Sequence, residues 1–328
     1  MTGTGSPLSA YFGRMLPDLR IRIGSRTSPM AVAQAEHVRD LLLKIADLDI
    51  ELVGVQTSGD RWQGDLTELG GKGAFLKEID RHLVTGGIDV AVHCVKDVPG
   101  DVPMPEGTTF AAYLAREDVH DVVLFPAGSP YRSLAELPAG ARIGTAAVRR
   151  KAQISRARPD LHVDRIRGNV NSRIARFDTE GRFDAMVLAS AGLHRIGMED
   201  RAVEVLPLDV MCPAVGAGVI GIQCRTADTG TVELLRLLDD AQTRTHVTAE
   251  RTMLHGLQGR CNSPIAGHCT TTPDGQLSLI GMVFTHEGGQ FVYAHEWDRP
   301  DRAPELGASV AATLARKGAR HIVAGIPH

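Results

Sequence analysis

The chain has 328 residues, 43% apolar and 23% charged, with 39 acidic against 36 basic side chains and a formal charge of −3. That length supplies material for two or three domains with several cores, and the slight acidity excludes a general nucleic-acid binder, which needs net positive charge or one broad basic face. Five cysteines, Cys94, Cys212, Cys224, Cys261 and Cys269, odd in number and without C-x-x-C spacing, argue against a disulfide framework or structural zinc and for a reducing, cytoplasmic setting.

Residues 1–20, rich in Gly, Ser, Thr and Pro, read as a disordered tail, and no stretch reaches the length of a membrane span. Ile21-Arg22-Ile23-Gly24 reads as a strand leading to a helix from about Pro29 to Ile45, with Ser28 as N-cap and Pro29 at the first helical position. Ile50 to Gln56 is the next strand, and the polar run from Thr57 to Gly73 is a long mobile loop. A helix from about Ala74 to Thr85 precedes the apolar strand Ile88 to His93. This βαβ rhythm predicts a parallel sheet with helices on both faces.

The rhythm restarts after Arg116-Glu117-Asp118, with strands near Asp121–Leu124, Ala141–Gly144, His162–Ile166 and Ala185–Leu188. Ligands of open parallel sheets sit beyond the carboxyl ends of strands, near helix N-termini. Gly144-Thr145-Ala146-Ala147 and Arg167-Gly168-Asn169-Val170 occupy such turns. The same stretch is strongly basic: Arg142, Arg149, Arg150, Lys151, Arg156, Arg158, Arg165, Arg167 and Arg173 are opposed within it only by Asp160 and Asp164. So many guanidinium groups point to a polyanionic small molecule bearing carboxylates or phosphates, while a solvated helix face accounts for roughly half of them.

From about Thr243 the pattern changes to a helix at Thr248–Leu254, Gly-rich turns, two antiparallel strands at Gln276–Val283 and Gly289–Ala294, and a helix near Ala303 to Lys317. The predicted fold is α/β: two similar α/β lobes around a cleft plus a smaller C-terminal α+β domain. Residues 21–113 with 218–237 form the first lobe, 114–212 the second and 241–328 the C-terminal domain.

Motifs in order along this frame carry a family resemblance. They are Gly70-Gly71-Lys72-Gly73-Ala74-Phe75, His93-Cys94-Val95-Lys96-Asp97-Val98-Pro99, Gly144-Thr145 to Arg149-Arg150, Arg167-Gly168-Asn169-Val170, and Gly259-Arg260-Cys261-Asn262-Ser263-Pro264. From about Ile21 to the C-terminus the chain resembles the porphobilinogen deaminase family, also called hydroxymethylbilane synthase. The resemblance implies a transferase of porphyrin and heme biosynthesis that condenses four porphobilinogen units into hydroxymethylbilane with release of ammonia. It implies one covalent dipyrromethane per chain as primer, joined by a thioether to Cys261; a buried free thiol is the ordinary alternative for this residue type.

By the same resemblance Asp97 is the catalytic carboxylate, and Lys96 beside it binds a carboxylate and holds Asp97 ionised. Arg26, Arg149, Arg150, Arg167, Arg173 and Arg195 match arginines that take the acetate and propionate groups. Ser28 matches a hydroxyl of the same site, with N-capping as its structural alternative. Lys72 falls in a loop resembling the family's lid. The implied partners are a small pyrrole substrate and a downstream tetrapyrrole enzyme, with no nucleic acid, membrane or metal, and the chain is expected to be a monomer.

The sequence departs from the family at Ala146 and Ala147, where serines are common, at Cys94 for serine, at Ala217 for glutamine and at Arg260 for glycine. Three of these remove polar groups, each worth roughly 1.5 to 3 kcal/mol when bonded to a charged ligand. Arg260 either lowers the Cys261 thiol pKa or crowds the cofactor. Two alternatives therefore stand beside the family reaction: a paralogue acting on a different pyrrole or making a different product, and a non-catalytic anion-binding protein.

Overall fold

The computed structural model describes residues 20–58, 76–259 and 263–325. They form two compact units, one of residues up to Arg116 with Val219–Arg244, the other of Glu117–Gly218 with residues from Thr245 onward. The first unit begins with β1 (Arg20–Arg26), α1 (Pro29–Ile45), β2 (Asp49–Val55), α2 (Lys77–Val84), β3 (Val90–Cys94) and β4 (Thr108–Tyr113). The second contains β5 (Asp121–Leu124), β6 (Arg142–Thr145), α3 (Val148–Ala157), β7 (His162–Arg165), α4 (Val170–Glu180), β8 (Ala185–Ala189), α5 (Ser190–His194) and β9 (Glu204–Val205). The chain returns to the first unit for β10 (Ile220–Arg225) and α6 (Thr229–Arg236) and then enters α7 (Ala241–Gly256). It ends in the second unit with β11 (Ile265–Thr271), β12 (Leu277–Phe284), β13 (Phe291–Asp298), α8 (Ala303–Arg316) and α9 (Ala319–Ala324).

Alternation along β1 buries Ile21 and Ile23 completely, as the two-residue period of a strand requires. Between them Arg22 grips Asp89 through Nε at 2.9 Å and Nη2 at 2.8 Å, and Arg225 donates to the same carboxylate at 2.8 Å. One acid thus ties β1 and β10 to the residue that leads into β3. Pro29 at the first turn of α1 supplies a preset φ, and Ala35, Val38 and Leu42 recur on its buried face. Gly24 lets the strand pass close to Ile88, since an added Cβ would stand 2.3 Å from Ile88 Cδ1 and displace that side chain.

The sheet corrects the parallel expectation. Its order is β2-β1-β3-β10-β4, with β1 parallel to β2 and β3 but β10 antiparallel to both β3 and β4. The second sheet, β7-β6-β8-β5-β9, is mixed in the same way, β5 opposing β8 and β9. In the first sheet the opposing strand arrives from distant sequence, so local periodicity carries no sign of its direction.

In the C-terminal region β11, β12 and β13 form a three-stranded antiparallel sheet. Leu277, Leu279 and Val283 on alternate positions of β12 join Met253 of α7 and Val310 and Leu314 of α8 in one core. Strands β4, β9, β10 and β11 are absent from the sequence expectation, and α7 begins seven residues earlier than the Thr248 expected there. The two lobes of α/β structure and the smaller α+β region are otherwise as predicted.

Candidate active site

In the first unit two chain turns converge on a pocket of about 70 Å³ lined by Arg26, Ser28, Met30, Ala31, Gln34, Leu76, Ile79, Val92, His93, Cys94 and Asp97. The first turn joins β1 to α1. Ser28 has extended N-cap torsions, φ −68° and ψ 145°, yet its side chain makes no capping bond, so its hydroxyl is left to the pocket. The second turn follows β3, where a single 3₁₀ turn over Val95–Asp97 is held by Val95 N–H to Val219 O at 3.0 Å and Val98 N–H to Val95 O at 3.1 Å. It places Asp97 on the pocket wall and Lys96 one residue earlier, both half-buried. A carboxylate, a guanidinium and a hydroxyl therefore meet over apolar side chains, where charges interact more strongly than in open water.

Behind this wall lies a polar chain that the sequence reading missed. His93 is 5% exposed, its Nε2 is 2.7 Å from Gln223 Oε1, and its ring makes a T-shaped contact with Phe110 at 5.9 Å between centroids. The Gln223 amide donates to Thr108 Oγ1 at 3.0 Å and to the Asp80 carboxylate. Burial pushes the His93 pKa down to about 4, outweighing the hydrogen bond His93 donates to Gln223, and pushes that of Asp80 up.

The second unit gathers Arg149 and Arg150 in the first turn of α3. Both are buried, 6% and 7% exposed, around Asp121 at the start of β5. Arg149 Nη2 reaches Asp121 Oδ2 at 2.5 Å and Arg150 Nη2 reaches Oδ1 at 2.8 Å, while Arg149 Nη1 donates to Cys212 O. Burial opposes the Asp121 charge, but attraction and hydrogen bonds from the two guanidinium groups outweigh it and hold the carboxyl well below its usual range. Two buried cations share one anion, and Arg150 Nε is enclosed with no hydrogen-bond partner. This excess of positive charge fits an anionic group. Cys212 beside the cluster is no nucleophile, since burial pushes its thiol up to about 12.

Arg167 and Arg173 flank the entry to α4. Gly168 has φ +106°, and a Cβ there stands 2.4 Å from Ser172 Oγ, so the turn requires glycine. Asn169 then caps the helix by accepting from Ser172 N–H at 2.9 Å. Arg167 is exposed and Arg173 half-buried. Arg195 follows α5 and donates through Nε to both Glu117 oxygens at 3.0 and 3.1 Å. Lys72, Arg260 and Cys261 lie outside the described residues.

Much of the basic stretch is matched within the unit. Arg142 pairs with Asp164, Arg158 with Asp160 and Lys151 with Glu287, while Arg156 lies 3.8 Å over the Phe291 ring. Two of the opposing acids, Asp121 and Glu287, come from outside the stretch. Ala147 is the N-cap of α3 and makes no side-chain cap, so the change from serine leaves that helix start without a capping hydroxyl. Ala217 is buried, and Cys94 lines the pocket.

The family description "Porphobilinogen deaminase, dipyromethane cofactor binding domain" matches residues 21–233, and "Porphobilinogen deaminase, C-terminal domain" matches residues 244–316. The chain is 49% identical over 313 residues to porphobilinogen deaminase 2 of Streptomyces coelicolor, covering 95% of this chain and 98% of that one. It is 41% identical over 308 residues to porphobilinogen deaminase of Syntrophotalea carbinolica, covering 93% and 96%. Among solved structures the periplasmic BvgS VFT2 domain of Bordetella pertussis superposes with a TM-score of 0.41 at 15% identity, over 70% of this chain and 90% of that chain, too weak a likeness to carry an argument.

Proposed function

The chain belongs to the porphobilinogen deaminase family, and from that premise we propose that it condenses four porphobilinogen units into hydroxymethylbilane, primed by a dipyrromethane thioether on Cys261. The observation that carries the reading is the pocket in which Asp97 stands with Arg26 and Ser28.

In each round a C–N bond of the aminomethyl group breaks and ammonia leaves. A C–C bond forms to the α-carbon of the preceding ring, whose hydrogen departs as a proton. Positive charge develops on the substrate methylene, and Asp97, half-buried, stabilises it and takes part in moving the proton. Arg26 takes a ring carboxylate, and the uncapped Ser28 hydroxyl donates a further bond. Dipyrromethane supplies the α-carbon to which the first unit is joined. Arg149 and Arg150, with one positive charge in excess of Asp121, hold acetate and propionate groups together with Arg167, Arg173 and Arg195. Lys72 and Lys96 complete the set of cations that bind substrate or cofactor carboxylates.

We place the enzyme in the cytoplasm as a monomer delivering its product to a downstream tetrapyrrole enzyme. Among the described residues no helix is long and apolar enough to cross a membrane. A second reading, a paralogue acting on another pyrrole, draws support from the uncapped Ala147.

The test is the intact mass of the denatured protein, mapping of any adduct, and turnover of porphobilinogen followed by ammonia release and product mass. A dipyrromethane increment on Cys261 with a linear tetrapyrrole product is expected. A different adduct or product favours the paralogue, and a bare chain that binds anions without turnover overturns the enzymatic assignment.

A further inference from the structure

The Asp97 pocket has a second polar wall, whose hydrogen-bonding sense is fixed from behind. Gln223 has its amide nitrogen committed to Thr108 Oγ1 and the Asp80 carboxylate, both acceptors, so its carbonyl oxygen must face His93. The nitrogen of His93 that meets this oxygen at 2.7 Å therefore carries the proton. That leaves the Nδ1 lone pair as the ring's other polar group. Nδ1 has no hydrogen-bond partner among the described residues and, unlike Asp80 Oδ1, is not fully enclosed. The residue is 5% exposed, and the space it borders is the pocket shared with Asp97 and Arg26. A buried acceptor with an unused lone pair is costly unless a donor arrives.

We propose that His93 is a substrate-positioning residue whose Nδ1 accepts a hydrogen bond from the pyrrole N–H of a ring bound beside Asp97, its tautomer set by Gln223. This rests on the pyrrole chemistry proposed above. The clamp gives directional selectivity: a ring nitrogen bearing hydrogen satisfies Nδ1, whereas an oxygen or alkylated nitrogen in its place leaves two acceptors facing each other. The edge contact with Phe110 and the Gln223 bond keep the imidazole from turning to offer its N–H instead. The ionisable groups around it are Asp80 on α2, Arg26 on β1, and Cys94 and Asp97 on its own segment.

Two measurements on the full, cofactor-loaded chain test this. In the ¹⁵N spectrum of histidine-labelled protein, with His93 assigned by the signal lost in His93→Phe, we expect a neutral ring protonated at Nε2 whose Nδ1 resonance moves when porphobilinogen is added. An Nδ1 resonance that stays put at saturating ligand, or a ring protonated at Nδ1, overturns the proposal. This readout is independent of turnover, so a shift without product would sink the proposed reaction and leave the His93 contact standing.

Kinetically, His93→Phe is expected to lower kcat/KM roughly tenfold, the effect of one hydrogen bond near 1.4 kcal/mol. Gln223→Glu keeps the shape and guards against misfolding of the first variant. Its carboxylate favours the doubly protonated imidazole, which has no lone pair to offer, so the acid limb of kcat/KM should move up by about one pH unit or more. Wild-type kcat/KM in His93→Phe together with an unmoved acid limb in Gln223→Glu would also overturn the assignment.

Discussion

At the residue scale two carboxylates stand in opposite situations, one proposed for the chemistry and one for the fold. Asp97 borders a pocket and is half-buried. Asp97→Asn keeps shape and removes the charge, so turnover should fall by roughly 10²- to 10⁴-fold while the fold and any Cys261 adduct are retained. Rate assays beside intact mass check this, and near-normal turnover would remove Asp97 from the mechanism. Asp121 is enclosed by two arginines and acts on stability. Asp121→Asn strands two buried cations, and a loss of about 3–5 kcal/mol in urea unfolding is expected. Because its folded pKa lies below the unfolded value, the stability Asp121 gives is complete above about pH 4 and is lost as pH falls through the folded value. The acid unfolding midpoint of the wild type should therefore show a dependence on this residue that Asp121→Asn lacks. Asp97 stood out in the sequence because its motif is recognisable, and it lines the pocket. Asp121 was not, since an acid opening an apolar strand looks like punctuation until Arg149 and Arg150 fold back onto it.

At the element scale, periodicity found the elements whose pattern is local. Ile21 and Ile23 alternate, Ala35, Val38 and Leu42 recur at helical spacing, and both were read correctly with their turns. The direction of β10 depends on its neighbours β3 and β4 and not on its own residues, which is why the mixed sheets were missed. The support of α3 was equally hidden. Its first turn carries Arg149 and Arg150, while its flank is braced by the turn between β12 and β13: Lys151 pairs with Glu287 at 2.6 Å and Arg156 covers Phe291. Gly288 in that turn has φ +73°, and an added Cβ would stand 2.1 Å from Ala152 O. Gly288→Ala must push the hairpin off α3, at a cost of about 1–3 kcal/mol. Urea denaturation measures it, and an unchanged midpoint would show that the brace is dispensable.

At the scale of the whole molecule, charge makes a prediction that no single contact does. Net charge is −3, yet the arginine cluster of the second unit keeps one enclosed cation more than Asp121 neutralises, with Arg150 Nε unsatisfied. Such an arrangement loses stability when nothing anionic sits on it and gains stability when something does, because a ligand bound only by the native state shifts folding by mass action. If dipyrromethane bears the neutralising carboxylates, Cys261→Ser cannot hold it covalently, and the variant should melt several degrees below the wild type despite a one-atom change. Phosphate should then recover part of that loss in the variant and add little to the loaded wild type, whereas chloride at equal ionic strength should not discriminate between them. Thermal unfolding of both proteins across the two salts decides the matter. Equal melting temperatures, or equal phosphate effects, would mean that Asp121 and the surrounding carbonyls suffice for the two arginines and that the cluster is structural rather than a seat for the polypyrrole.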